Sequence, residues 1–420
     1  MHELNQINWA DKFYCNEPNV VFEGFHKTIE RLVNTHLPMR KMTKKEIINK
    51  QKPWITNDIL KLIKQRNKLH NKFLKAKDES SKTSLNNQYR ALRNQIVSKC
   101  RLSKKEYYQN FFEENSGNLR NTWRGIKTII NINSKDKINP SSLSIDGNSV
   151  NDPEKIANEF NNYFSGIAGK LQSSIHTQDL KFETYLEEKS AKSFFIEATH
   201  KFEIIDAIIS NINNKSSGPN SIPTIILNLI KESIAEPLAE IINLSFSTGI
   251  YIEKLKISKI IPIYKEKGDK LLTKNYRPIS LLSNLNKIVE KIVHKRLYSF
   301  LEKEGKIYEK QFGFRKKHST THALLDLTED IRDAIDKNKF SCGVFIDLQK
   351  AFDTVDHNIL LKKLDHYGIR GVNNKWFGSY LKNRRQYVSI SGIDSQLTKS
   401  GVWWTSGVCP WTVIIFNLHK

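Results

Sequence analysis

Beyond residue 56 the apolar residues recur every three or four positions: Ile59, Leu62, Ile63, Leu69 and Phe73. This spacing places them on one helical face. It predicts a helix opening after Pro53-Trp54-Ile55-Thr56, with Thr56 as N-cap. Leu85, Tyr89, Leu92, Ile96 and Cys100 repeat the pattern and predict a second long helix. The polar faces of both are almost wholly cationic. A shorter helix carrying Trp123, Ile126 and Ile130 follows Asn115-Ser116-Gly117, and residues 131–142 read as a linker. The run LSIDGNSV (Leu143 to Val150) predicts a hairpin with Asp146-Gly147 in its turn. Asp152-Pro153 predicts an N-cap and first helical position, with Ile156, Phe160, Tyr163, Phe164 and Ile167 facing inward. Residues 172–198 are less regular. A helix over 201–213 would turn Phe202, Ile205, Ile208 and Ile212 inward. Further on, the mostly apolar Cys342 to Ile346 runs straight into Asp347, as a buried strand does when it delivers a carboxylate. Asp356-His357 then opens a helix carrying Ile359, Leu360 and Leu364, and no repeat of fixed period appears.

Composition adds a partner class. At 420 residues the chain can hold two or three domains, or one large irregular one. Its 67 Lys and Arg against 44 Asp and Glu give a net charge of +23. Between Arg40 and Lys105 alone there are 20 Lys and Arg. So one-sided a charge points to a polyanion: nucleic acid first, a membrane surface second. A coding bias toward Lys and Asn also contributes, and a solvated helical hairpin is the plain alternative for this region. Cys15, Cys100, Cys342 and Cys409 lie far apart with no CxxC pair, which argues against a zinc site or a disulfide framework. The opening MHELNQINWADKFY has no apolar run, so no signal peptide is expected, and no stretch approaches the ~20 apolar residues of a membrane span. A reducing, intracellular location, nuclear or cytoplasmic, is the expectation.

Several blocks then fall in a telling order. They are KSSGPNSIP (Lys215–Pro223), NLSFSTGIYIEKLKISKIIPIYKEKGDK (Asn243–Lys270), NYRPISLLSNLNKIVEKIVHKRL (Asn275–Leu297), QFGFRKKHSTTHAL (Gln311–Leu324), FIDLQKAFDTVDH (Phe345–His357) and WFGSYLKNRRQYV (Trp376–Val388). Over about 201–400 the chain resembles the reverse transcriptases of non-LTR, LINE-type retrotransposons, jockey-like ones above all. It departs at Asn220 and Ser221, where the family has Asp and Gly. The first 200 residues look, less specifically, like the linker that follows the endonuclease in such proteins.

The resemblance implies RNA-directed DNA polymerization with an RNA template, a DNA primer, deoxynucleoside triphosphates and Mg²⁺. It makes Asp347 the catalytic, metal-binding carboxylate, helped by the Leu348 carbonyl. It makes Phe352 the steric gate beneath the incoming sugar. Asp353 and Asp356 then read as structural or capping acids. The residues agree in part. In NYRPIS, Arg277 is held in a Pro-restricted extended segment where it can meet phosphate. In GFR, Arg315 follows a flexible Gly and can grip phosphate bidentately. Each could instead be a structural Arg paired to a carboxylate. Lys265 and Lys267 could face nucleic acid or be surface charges. The histidines have no metal-ligand spacing, and the aromatic run in WFGSYL reads as core.

The resemblance then fails. The family's next block is Gly-Val-Pro-Gln-Gly-Ser-x-Leu-Gly-Pro. The chain reads GVWWTSGVCP, with Trp403 and Trp404 in the Pro-Gln positions, Thr405 for Gly and Cys409 for the second Gly. Two indoles in so tight a gap overpack it. The family's Ala-Asp-Asp strand would lie beyond Lys420. The expectation is a truncated, degenerate polymerase, catalytically inactive as it stands; the alternative is a nucleic-acid-binding remnant without chemistry. The expected fold is mixed α/β (α+β): a basic helical region (1–135), a helical extension (136–240), right-hand polymerase fingers (241–341) and an incomplete palm (342–420). The palm sheet is expected to be antiparallel with helices on one face. The sequence assigns no oligomeric state.

Overall fold

The computed structural model describes residues 2–399 apart from 14, 39, 41–42, 44–45, 47–51, 131–139, 146, 175–181, 187–188, 212–217, 220–221 and 348–354. The chain forms two compact units, residues 38–137 and residues 1–37 with 138–420. Helix α1 (Pro18–His36) belongs to the larger unit. The Glu17 carboxylate caps its start by accepting from the Val20 N–H at 2.9 Å. Its Phe22, Phe25 and Ile29 are buried in the main core with residues of the helix Thr224–Thr248. The cut at 137 falls beside the expected division at 135, while residues 1–37 fall in the unit of residues 138–420. An amphipathic helix needs cover for its apolar face, and α1 finds it in the later part of the chain.

The smaller unit is a helical hairpin with an appended turn. Helix α2 (Asn57–Lys75) starts at Thr56, whose hydroxyl accepts from the Ile59 N–H at 3.4 Å. Helix α3 (Glu79–Glu114) starts at Asp78 in the same way, with Ser81 N–H as donor at 2.9 Å. Ile59 and Ile96 are buried between them. Helix α4 (Leu119–Ile129) closes the unit, but Trp123 and Ile130 stay exposed.

In the larger unit, the short strands β1 (Leu143–Ile145) and β2 (Asn148–Val150) form the expected hairpin, with Gly147 at φ 81° in the turn. Helix α5 (Pro153–Ser174) begins at Asp152, whose carboxylate accepts from the Glu154 N–H at 2.9 Å. Ile156, Phe160, Phe164 and Ile167 face inward as predicted. Helix α6 (Lys201–Ser210) departs from its prediction at one residue. Ile204, Ile205 and Ile208 are buried, whereas Phe202 is 64% exposed. Phe202 lies in the first turn, where it meets the His200 ring and the Lys201 ammonium instead of the core. The predicted inward position Ile212 lies outside the described residues.

Helix α7 (Thr224–Thr248) ends at Gly249, which takes the left-handed conformation (φ 66°) that closes a helix. Strands β3 (Ile257–Tyr264) and β4 (Tyr276–Leu281) follow, then helices α8 (Asn284–Lys303), α9 (Thr320–Asp336), α10 (His357–His366) and α11 (Gly371–Leu381). Strand β5 (Arg385–Ile390) and the short β6 (Ile393–Asp394) and β7 (Thr398–Lys399) complete the sheet.

The sheet runs β4-β3-β5-β6, with β7 also on β5. β3 and β4 are antiparallel, but β3 and β5 are parallel, in register from Ile257↔Arg385 to Ile260↔Val388. The sheet is therefore mixed, not antiparallel as expected. A parallel pair needs a crossover, and the helices α8 to α11 supply one. α5 covers one face: Ile260, Tyr276, Val388 and Ile390 pack with Phe160 and Phe164. A larger core joins α1, α6, α7, α8, α10 and α11. At its centre Trp376 is fully buried, with its indole N–H donating to Ser245 Oγ at 3.0 Å. Phe246, Tyr251 and Tyr380 pack around the ring. Among the described residues no helix is long and apolar enough to cross a membrane.

Trp376→Ala is expected to lower unfolding stability by about 3–5 kcal/mol, read as a shift of the urea midpoint. A shift under a quarter of that size would mean that the indole does not organise this core.

Candidate active site

The sheet has one covered and one open face, and the open face carries the first expected site residue. Paired residues in the β3–β4 ladder point the same way. Tyr276 opposite Tyr264 turns toward α5, where the Tyr276 ring meets Phe160 at 4.8 Å. One residue on, Arg277 opposite Ile263 turns to the other face and is exposed. Lys259, Ile261, Ile279 and Tyr387 share that face by register. Arg277 is thus held on a rigid strand beside Pro278 with its guanidinium toward solvent.

The loop joining β3 to β4 is tightly bound to itself. The Lys265 N–H donates to the Asn275 carbonyl at 2.8 Å, and the Asn275 side chain donates to the Asp269 carbonyl at 2.7 Å. Lys265 Nζ donates to the Lys274 carbonyl at 2.6 Å, so this lysine is engaged within the loop, while Lys267 is exposed.

Two of the sequence blocks meet in space. Gly218 lies so close to the end of β4 that a side-chain carbon there would sit 2.3 Å from the Leu282 carbonyl carbon. Only glycine permits that approach. Asn284 Nδ2 donates to the Ile222 carbonyl at 2.9 Å and ties the same segments together.

Arg315 is placed differently from Arg277. Its Nη1 donates to the carbonyls of Tyr308 and Glu309, at 3.2 and 3.0 Å. Phe314 and Lys317 have positive φ in the same loop, and Lys310 fastens it to α9 through Asp326 and Asp330 at 3.1 and 3.2 Å. Arg315 therefore braces a strained loop through backbone carbonyls, whereas the structural alternative expected a carboxylate partner.

Asp347 lies on an exposed segment. Residues 340–347 form no strand, and Val344, Phe345 and Ile346 are 81%, 86% and 80% exposed. This corrects the expectation of a buried strand from Cys342 to Ile346. A strand needs ladder partners and cover for its side chains, and among the described residues none pairs with this segment. α9 also has no buried residue, and its Leu324, Leu325, Ile331 and Ile335 stand exposed. The Asp356 cap is as predicted: its carboxylate accepts from the N–H groups of Asn358 and Ile359 at 2.7 and 3.0 Å. Leu348, Phe352 and Asp353 lie outside the described residues, as do Trp403, Trp404, Thr405 and Cys409.

Among the described residues, no hydrogen bond or ion pair joins Arg277, Arg315 and Asp347. No three His, Cys, Asp or Glu side chains among them converge to hold an ion. A two-magnesium centre needs several carboxylates. The described residues offer Asp347 alone and do not fit such a centre, so no chemical step is drawn through a metal.

A buried polar cluster escaped the sequence reading. Glu290 on α8 is 4% exposed and accepts from the Tyr380 hydroxyl at 2.7 Å. Asn286, one turn earlier, accepts from the Tyr251 hydroxyl at 2.5 Å. The Arg384 guanidinium lies 4.8 Å from the Tyr380 ring and donates to the Tyr380 carbonyl. Burial pushes the Glu290 carboxyl above its ordinary range, against the opposing pull of Tyr380 and Arg384. The signal was available: Glu290 falls on the apolar side of α8 with Val289 and Val293. His357, near Arg384, is pushed down to about 4 by burial, with Asp356 opposing and Arg384 assisting.

Residues 263–403 match the family model described as reverse transcriptase (RNA-dependent DNA polymerase). They are a reverse-transcriptase segment, related to the polymerases of non-LTR retrotransposons. The segment opens in β3 and takes in β4, the helices α8 to α11 and the return strand β5. The chain is 26% identical over 379 residues to the "Probable RNA-directed DNA polymerase from transposon BS" of Drosophila melanogaster, covering 86% of this chain and 40% of that protein. It is 29% identical over 218 residues to the "RNA-directed DNA polymerase from mobile element jockey" of the same species, covering 51% and 23%. It is 30% identical over 186 residues to the "Probable RNA-directed DNA polymerase from transposon X-element", also of that species, covering 44% and 20%. The chain spans less than half the length of these curated relatives.

Two pH dependences of opposite sign are expected. The folded-state pKa of Glu290 is raised, so the wild-type chain loses stability as pH rises from about 4.5 through that pKa. Glu290→Gln removes the loss, and its denaturation midpoint should gain on wild type as pH rises; a difference that does not vary with pH would refute this. His357 has a lowered pKa, so its contribution is present above about 6.5 and is lost as pH falls toward 4. His357→Gln should flatten that acid limb, and an unchanged limb would show that another group causes it.

Proposed function

We propose that this chain is the fingers and part of the palm of a right-hand RNA-directed DNA polymerase of the non-LTR retrotransposon type. In this reading it engages an RNA template, a DNA primer and a deoxynucleoside triphosphate. The carrying observation is the family match over 263–403. The open sheet face bearing Arg277 supports it, because a strand-held guanidinium toward solvent suits a phosphate contact. Arg315 positions the loop beside α9 instead of contacting the nucleotide. Asp347 is the proposed catalytic carboxylate, with the Leu348 carbonyl beside it and Phe352 as the steric gate. Mg²⁺ is the family's ion, and its remaining ligands are not among the described residues.

Turnover by the sequence as it stands is a separate question. Trp403 and Trp404 occupy positions where the family has Pro and Gln, and their volume would block template and base pair. The proposed chain is therefore a polymerase by descent that holds nucleic acid without extending it. A primer-extension assay with an RNA template, an annealed DNA primer and Mg²⁺ is expected to show no product above background. Synthesis that Asp347→Ala abolishes would overturn the inactivity and support the catalytic assignment. Arg277→Ala is expected to weaken template–primer binding severalfold while leaving the denaturation midpoint within about 0.5 kcal/mol of wild type, as an exposed substitution should.

A further inference from the structure

The outward face of α2 carries Lys61, Lys64, Lys68, Lys72 and Lys75, at intervals of three or four residues. At ~100° per residue these fall within an arc of about 80°, along roughly 21 Å of helix. The packed residues of the same helix, Ile59, Leu62, Ile63, Leu69 and Phe73, centre about 160° away. All five lysines are exposed. Of the five, only Lys61 has a carboxylate within ion-pair distance among the described residues, Asp58 at 3.3 Å.

The larger unit treats several of its lysines differently. Lys189 meets Asp365 at 2.7 Å, Lys192 meets Glu304 at 3.1 Å and Lys254 meets Glu23 at 3.0 Å. Residues 38–137 hold 25 Lys and Arg against 8 Asp and Glu; the rest of the chain holds 42 against 36. Like charges three and four residues apart on a helix repel one another. Among the described residues no carboxylate pairs with Lys64, Lys68, Lys72 or Lys75, and only the helix C-terminus, beside Lys72 and Lys75, eases the repulsion.

We propose that this lysine row is a binding track for a nucleic-acid backbone, lying outside the reverse-transcriptase segment. A row of phosphates removes the repulsion and releases condensed counterions. The row reads charge and not bases, because it presents ammonium groups without planar forks or aromatic platforms. A lipid surface fits less well. An interfacial helix shows an apolar face to the acyl chains beside its cations, and Leu74 is the one large apolar side chain of α2 that stands exposed.

The test uses the full chain and a fluorescein-labelled 20-nucleotide single-stranded RNA, with DNA of the same sequence in a parallel arm. Anisotropy titrations run from 50 to 300 mM KCl. The variant combining Lys61→Gln, Lys64→Gln, Lys68→Gln, Lys72→Gln and Lys75→Gln is expected to bind at least tenfold more weakly at 100 mM. Its log–log salt slope should fall by about three, from ~0.7 per phosphate contact on a single strand. The smaller variant Lys64→Gln with Lys68→Gln should lower the slope by about one and keeps the test valid if the larger variant unfolds. An equal charge change at Lys295, Lys303, Lys306, Lys339 and Lys375 should alter binding less than twofold. The proposal fails if the control loses as much as the row variant, or if the row variants bind like wild type. It also fails if RNA and DNA differ more than tenfold, since a backbone track ignores the sugar. Phosphatidylserine vesicles that bind the row while RNA cannot compete would assign it to a membrane instead and would likewise overturn it.

Discussion

The indole of Trp376 is fully buried between α7 and α11, and its one N–H must find an acceptor there. Ser245 on α7 supplies it, while Phe246, Tyr251 and Tyr380 fill the space around the ring. That arrangement fixes α11 against α7. Tyr380 then reaches Glu290 on α8, so three helices share one anchored platform. β3 leaves the platform just after Tyr251, and β5 leaves it just after Leu381. Two strands departing from the same floor in the same sense lie parallel, which is why the sheet is mixed.

Much of the helical framework could be read from the sequence, because its signals are local. The caps at Thr56, Asp152 and Asp356 depend on a side chain reaching an N–H two or three residues away. The inward face of α5 follows from periodicity alone. Phe202 was misplaced because a residue in the first helical turn can leave the core for a neighbouring ring and cation. The parallel pairing of β3 with β5 could not be read: it is settled more than a hundred residues apart by the way α11 is anchored. The boundary near residue 37 was hidden for a related reason, since charge composition marks the basic hairpin but not the apolar face of α1.

The candidate site was legible as a set of blocks and much less so as geometry. Gly218 explains why its block needs a glycine, since it packs against backbone at Leu282. Arg277 and Arg315 look alike in sequence, each in a turn-rich block with a flanking Gly or Pro. They differ in space because Arg315 turns back onto the carbonyls of Tyr308 and Glu309, whereas Arg277 points out from a strand. Glu290 lies inside the block Asn275–Leu297, which stood out by its family pattern and not by its apolar spacing, so its place beside Val289 and Val293 went unread. Burial changes what such an acid does: it orders Tyr380 and, through it, the entry into β5.

The bare apolar surface of α9 and residues 340–346 has a consequence for the life of the chain in a cell. With no ladder partner among the described residues, the amides and carbonyls beside Val344, Phe345 and Ile346 resemble a stretch of nascent polypeptide more than a finished surface. Holdase chaperones and proteases select such stretches, so exposure of this kind would tie a chain's abundance to quality control as well as to its folding equilibrium. A stabilising change deep in the core, around Trp376, would leave that exposure untouched, and turnover in the cell would track the surface and not the melting point.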